Sequence, residues 1–242
     1  MQIDRNILIP FVKDRIQEFH QKRINSLQQI ELKQVVKRKN PYLFRAKNIV
    51  TAQDLVKGIL DAHLSSQEEG LFGGLLEQLA IYVCETAFTG RKSSAEGVDL
   101  EFERDGAYYI VAIKSGPNWG NSSQVARMVD NFKKAKKILG TNRSARNVIA
   151  VNGCCYGKDN KPDKGDYLKL CGQRFWELIS GDFDLYLDII EPLGHAAKER
   201  NDEFNQQYGG VINRMSVEFI TEFCDTEGRI LWEKIVKFNS AL

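Results

Sequence analysis

The sequence is poor in the residues that build metal clusters and covalent frameworks. It holds five cysteines, Cys84, Cys154, Cys155, Cys171 and Cys224. The number is odd and no C-x-x-C spacing occurs, which argues against a disulfide framework or a zinc site and fits a reducing compartment. Only three histidines are present, His20, His63 and His195, and they are scattered. A zinc cluster or a Ser-His-Asp triad is hard to assemble from them, and their ordinary place is the surface or a satisfied core position. No apolar run approaches the ~18 residues of a membrane span. No signal-peptide pattern opens the chain, since Gln2-Ile3-Asp4-Arg5 leads into a mixed polar segment. The expectations are therefore a cytoplasmic protein and no membrane partner. Repeats and low-complexity segments are also lacking.

What is present is an ordinary globular composition, 43% hydrophobic and 27% charged over 242 residues, enough for one large domain or two small ones. The net charge of +2 hides an uneven distribution. Residues 1–48 hold 11 Lys/Arg against 4 Asp/Glu, and residues 127–146 hold 7 against 1. Basic segments on a balanced chain suit a polyanionic partner, although each run also fits a solvated helix face.

Apolar residues from Ile7 to Leu32 recur at helical spacing, so residues 3–38 read as helical up to a stop at Asn40-Pro41. Thr51 to Asp54 is an N-cap signal for a helix carrying Leu55, Ile59, Leu60 and Leu64. Gly70-Leu71-Phe72-Gly73-Gly74 reads as a loop or a close packing site, and residues 75–88 as a buried helix with Glu77 near its start. After an irregular Gly/Pro/Asn/Ser stretch at residues 115–124, a helix is expected over about 124–139, capped by Ser122 or Ser123. Residues 147–153 read as a strand and 157–165 as a polar loop, and Gly172-Gln173-Arg174-Phe175-Trp176 opens another helix that ends near Gly181. Residues 184–190 and 231–238 fit either strand or helix. Residues 195–223 read as a helix that Gly209-Gly210 breaks or kinks.

The most informative stretch is Glu96 to Lys114. Asp105-Gly106 is a strong two-residue hairpin turn, because both positions accept positive φ. With Arg104 and Ala107 flanking the turn, Asp99 lies opposite Ala112 and diagonal to Lys114. Alternation then puts Asp99, Glu101, Ala112 and Lys114 on one face and Leu100, Phe102, Val111 and Ile113 on the other, apolar face. One reading of the polar face is a solvated strand with a cross-strand salt bridge.

The other reading is chemical. Hydrolysis of a phosphodiester needs an activated water and neutralised charge, and a divalent metal held by carboxylates provides both. Mg²⁺ takes oxygen ligands, one or two carboxylates plus water and phosphate oxygens. Asp99 and a second acid suit that role, the backbone carbonyl of Ile113 can complete the shell, and Lys114 can orient the water or stabilise developing charge.

Gly97-Val98-Asp99 followed by Ala112-Ile113-Lys114 resembles the PD-(D/E)XK nuclease superfamily, with Glu77 matching the upstream helical glutamate common there. The run from Ile113 through Gln124, with Gly172-Gln173-Arg174-Phe175-Trp176-Glu177, is similar to bacterial type II restriction endonucleases over about residues 40–195. The resemblance implies a restriction-endonuclease-like α/β core with a mixed central sheet flanked by helices, a Mg²⁺ cofactor, double-stranded DNA as substrate, a homodimer on a palindromic target, and a cognate methyltransferase encoded nearby. One departure matters, because Ala112 stands where the superfamily has an acid, and alanine binds no metal. Three readings remain open: Glu101 or Glu77 supplies the second carboxylate; Asp99 acts with a backbone carbonyl and waters; or the chain is inactive.

The remaining candidates are polar contacts to DNA from Gln124, Ser115, Asn118, Asn121 and Arg174, each of which also has a local structural role open to it. Trp119 and Trp176 read as core aromatics. The expected organisation is a basic helical segment over 1–48, a nuclease core over 49–195 and a helical extension over 196–242. The rival to an enzyme is a nuclease-fold DNA-binding protein without catalysis, or a repair or structure-specific nuclease.

Overall fold

The computed structural model describes residues 4–142 and 147–241, with the backbone alone for 140–142. Arg143 and Arg146 of the basic 127–146 segment therefore lie outside the described residues. Two compact units emerge. The first comprises residues 1–16 and 72–195, the second residues 17–71 and 196–242. The basic 1–48 segment is thus divided between the units, and the extension from residue 196 joins residues 17–71.

The first unit is built on a five-stranded sheet in the order β1 (Arg91–Lys92), β2 (Leu100–Arg104), β3 (Ala107–Lys114), β4 (Asn147–Cys154) and β5 (Leu168–Cys171). β1, β2 and β3 pair antiparallel, whereas β3, β4 and β5 pair parallel, so the sheet is mixed as expected. A parallel neighbour needs a crossover, and α5 (Ser122–Asn142) supplies it between β3 and β4. α5 packs Met128, Phe132 and Ala135 on the face that carries Tyr108, Ile110, Ala112 and Ala150. The opposite face carries Leu100, Phe102, Val111 and Ile113. It is buried against Leu79 and Val83 of α4 (Ala52–Phe88), and against Phe175, Trp176 and Ile179 of α6 (Gln173–Ser180). Alternation along the strands thus sorts the side chains into two apolar layers, and the face expected to be polar is largely covered.

The Asp105-Gly106 turn forms as read, with φ of 50° and 76°. The register Arg104↔Ala107 through Leu100↔Val111 follows from it. Gly97 also needs its freedom: its φ is 71°, and a Cβ there would stand 2.2 Å from the Asn131 amide nitrogen.

Several expectations are corrected. The glycine stretch at 70–74 is not a loop but the middle of α4, which runs 37 residues from its Thr51 cap. Interior glycines cost about 1 kcal/mol each against alanine, and buried packing on either side outweighs that cost. One 18-residue window of α4 reaches the length and mean hydropathy of a membrane span, although no uninterrupted apolar run does. In this fold, Leu76, Leu79, Ala80 and Val83 of that helix are core residues. α5 is capped by Asn121, not Ser122 or Ser123: the Asn121 side chain accepts from Gln124 N–H at 3.0 Å and the Gln124 side chain accepts from Asn121 N–H at 3.0 Å. The two short strands β1 and β5 were not anticipated; at two and four residues they are set by their neighbours, not by periodicity.

Residues 184–190 resolve as helical turns α7 (Leu185–Asp188) and α8 (Ile190–Leu193). The second unit is helical. α1 (Arg5–Gln28) and α2 (Leu32–Arg38) replace the single expected N-terminal helix, with α1 beginning in the first unit. Pro41 starts α3 (Pro41–Ala46), with Asn40 as its N-cap. α9 (Ala197–Phe223) passes through Gly209-Gly210 without a break, and α10 (Trp232–Ser240) settles the 231–238 segment as helix. Leu27, Leu55, Leu60, Phe219 and Phe223 are at its core.

Candidate active site

Asp99 stands immediately before β2. Its N–H donates to Val111 O at 2.8 Å, and its carboxylate accepts from Ile113 N–H at 2.7 Å. These two bonds fix the side chain across the end of β3. Lys114, the last residue of β3, places its ammonium 4.0 Å from Asp99 Oδ2. In an extended strand a residue's N–H and C=O leave on the same edge. Ile113 N–H points to Asp99, so the Ile113 carbonyl is directed to that same edge. Ala112 and Lys114 point the other way, their carbonyls accepting from the Asn152 amide and from Cys155 N–H.

Glu77 comes from α4, on the helix that packs against the sheet. Burial, reinforced by the charge of Asp99, holds its carboxyl above the ordinary carboxylate range, while Lys92 and Lys114 pull it back. Lys92 Nζ stands 4.0 Å from Glu77 Oε1. Two carboxylates thus repel each other in a partly desolvated place, which a cation between them would relieve. Burial, with the Glu77 charge behind it, also pushes the Cys155 thiol up to about 12, which makes it a poor nucleophile.

Glu101 has a different fate. It is buried, faces Arg91 across the β1–β2 pair, and accepts from Arg91 Nε at 2.6 Å. Tyr108 shares hydrogen bonds with both partners. Of the two acids proposed to replace Ala112, Glu77 lies within electrostatic reach of Asp99 and Lys114, whereas Glu101 is held in an ion pair with Arg91. Ala112 is 1% exposed, pairs with Asn152 of β4, and belongs to the apolar layer under α5.

Among the described residues no group of three or more His, Cys, Asp or Glu gathers. Two carboxylates and a backbone carbonyl, all hard oxygen donors, are a donor set suited to Mg²⁺, which keeps several waters and asks for few protein ligands. They fit poorly to zinc, which favours nitrogen and sulfur.

The other candidates divide. Gln124 and Asn121 spend their side chains on the reciprocal cap of α5, a capping box. Ser115 is half-buried beside Gly73 of α4 and its carbonyl accepts from Tyr156 N–H. Asn118 is exposed on the same loop. Arg174 is exposed and lines a groove of about 650 Å³ beyond the ends of β4 and β5, with Leu76, Tyr156, Lys158 and Trp176 among its walls. On α5, Arg127 pairs with Glu96 at 3.2 Å and Lys133 with Asp166 at 3.4 Å.

Two features escaped the sequence reading. Lys92 joins the acids through a two-residue strand that no periodicity marks. Asn152 is a buried polar residue within an apolar strand, a legible sign of a specific partner, and that partner is Trp119.

A mixed sheet with helices on both faces, carrying Asp99 and Lys114 at one end of its antiparallel pair and Glu77 on the adjoining helix, is an α/β fold of the restriction-endonuclease-like class. Comparison with family models agrees with it. The model described as Type II restriction endonuclease EcoO109I matches residues 6–201. The chain belongs to that family. Among curated proteins, none matches the sequence.

Proposed function

We propose that the protein is a Mg²⁺-dependent endodeoxyribonuclease that cuts double-stranded DNA at a specific sequence. The observation that carries this reading is Lys114 standing 4.0 Å from Asp99 at the end of β3, with Glu77 of α4 within electrostatic reach of both, since membership of the family supplies the class of reaction and these groups are able to perform it. Asp99 and Glu77 would hold the cation, with the Ile113 carbonyl as a third oxygen. When bound, a divalent cation there supplies a more acidic water and neutralises charge on the scissile phosphate. Asp99, tied to Ile113 N–H, keeps its second oxygen in a fixed direction. Lys114 places a positive charge where negative charge grows on the phosphate, and orients the attacking water. Lys92, now beside Glu77, is a second cation for a neighbouring phosphate.

Two copies acting on a palindromic target would cut both strands, and a methyltransferase modifying the same sequence would protect the host DNA. Asp99→Ala and Lys114→Ala should each lower Mg²⁺-dependent cleavage of duplex DNA by about three orders of magnitude or more, while retention of DNA in a metal-free gel shift survives. Full cleavage by either variant would refute the assignment.

Ala112 favours a second reading, a nuclease-fold protein that binds DNA without cutting it. Digestion of unmethylated DNA with Mg²⁺ or Mn²⁺ separates the two: discrete fragments support the enzyme, retention without cutting the binding protein.

A further inference from the structure

A lysine beside a carboxylate normally closes on it as a salt bridge, at the 2.7–2.9 Å or so of a charge-assisted hydrogen bond. Lys114 does not. Its ammonium stands off Asp99 by 4.0 Å, and 5.2 Å away on another side is the centroid of the Trp119 ring. An ammonium over an indole face is attracted by the ring's quadrupole. The ring is itself held: its Nε1–H donates to Asn152 Oδ1 at 3.0 Å. Asn152 is 1% exposed, and its amide nitrogen donates to the Ala112 carbonyl at 3.3 Å. Both ends of one buried amide are therefore engaged, one on the backbone of β3 and the other on the loop after it. Such an amide fixes its partners firmly, because an unpaired end would be left buried without water.

Resting on the nuclease reading above, we propose that Trp119, anchored by Asn152, is a positioning residue that holds Lys114 clear of Asp99. The stand-off matters for the chemistry. A lysine collapsed onto Asp99 would neutralise the carboxylate that the cation needs and would withdraw the charge meant for the phosphate. Trp119 therefore acts through Lys114 and is not itself a ligand of the metal or a reacting group. The small side chain at Ala112, paired in register with Asn152, belongs to the same apolar layer that Trp119 packs against.

The test compares Trp119→Leu, Trp119→Phe and Asn152→Leu. Metal-free protein labelled with ¹³C-lysine reports the geometry directly: the Lys114 ε-methylene, assigned by its loss in Lys114→Ala, should be shifted upfield by the ring current. The shift should vanish in Trp119→Leu and shrink both in Asn152→Leu and in Trp119→Phe, which keeps an aromatic face but loses the bond to Asn152. In cleavage assays Trp119→Leu should lower kcat by about 30-fold, with KM for DNA within about twofold. Trp119→Leu should also raise the Mg²⁺ concentration needed for half-maximal rate, and Trp119→Phe should recover part of both losses. A Lys114 signal that ignores Trp119→Leu overturns the brace, as does a Trp119→Leu kcat equal to that of a cleaving wild type. A wild type that cuts no DNA with any divalent metal overturns the nuclease reading instead, and the lysine signal then decides the brace alone.

Discussion

Two glutamates on the same unit, both partly or wholly withdrawn from water, have opposite surroundings. Glu101 faces a guanidinium at 2.6 Å and a tyrosine hydroxyl, so its charge is matched within the fold. Glu77 is half-buried, and its two lysine neighbours do not cancel the effect of that burial and of the Asp99 charge. An acid matched at home is spent on stability. An acid held against a like charge is a cost the fold carries for something that arrives later, and strained ionisation of this kind gathers at functional sites. On the proposed reading, this contrast favours the helix over the strand as the source of the acid that Ala112 lacks.

The largest test of that contrast is loss of the Glu77 charge. Glu77→Gln should remove Mg²⁺-dependent cleavage while the folded variant still binds DNA. Undiminished cleavage by Glu77→Gln would break the contrast.

A smaller effect sharpens the other side. Glu101→Ala removes a charge-assisted hydrogen bond and should cost about 1.5–3 kcal/mol of stability, read from denaturant unfolding, while a variant that still folds keeps cleaving. Loss of cleavage without loss of stability would show that Glu101 belongs to the chemistry.

The smallest effect is on pH. The Glu77 carboxyl in the folded protein sits above its ordinary value of 4.5. The folded state therefore keeps this proton after the unfolded chain has lost it, and metal-free stability falls as pH rises from about 4.5 through the raised value. Glu77→Gln should flatten that fall in thermal melts followed from pH 4 to pH 8. Glu101→Gln should not flatten it, and added Mg²⁺ should reduce it in the wild type. An identical slope in Glu77→Gln would mean that Glu77 bears no strain.

The hairpin was legible because a two-residue turn fixes register by counting, and everything from Arg104 to Asp99 and Lys114 followed from Asp105-Gly106. The β3–α5–β4 crossover was legible from loop composition and a β-branched run. What sequence left open was which acid completes the site, because alternation put Glu101 on the correct face. Alternation says nothing of Arg91, which reaches Glu101 from a strand of two residues. Glu77 was placed near a helix start when Gly70 to Gly74 were read as a loop. Those glycines instead lie inside α4, whose packing against the sheet carries Glu77 to Asp99. Gln124 and Asn121 looked like contacts for a partner, yet their three-residue spacing before a helix is the spacing of a capping box. For Glu101 and Glu77 a distant pairing, invisible to local pattern, decided the outcome, whereas Asn121 and Gln124 pair locally.

The central claim is that Glu77, and not Glu101, works with Asp99. It is tested most directly by Mg²⁺-dependent cleavage of duplex DNA by Glu77→Gln and Glu101→Gln side by side, each first shown to be folded. The account predicts that Glu77→Gln fails to cut while still binding DNA, and that Glu101→Gln cuts within a few-fold of the wild type. Cleavage retained by Glu77→Gln and lost by Glu101→Gln would contradict it.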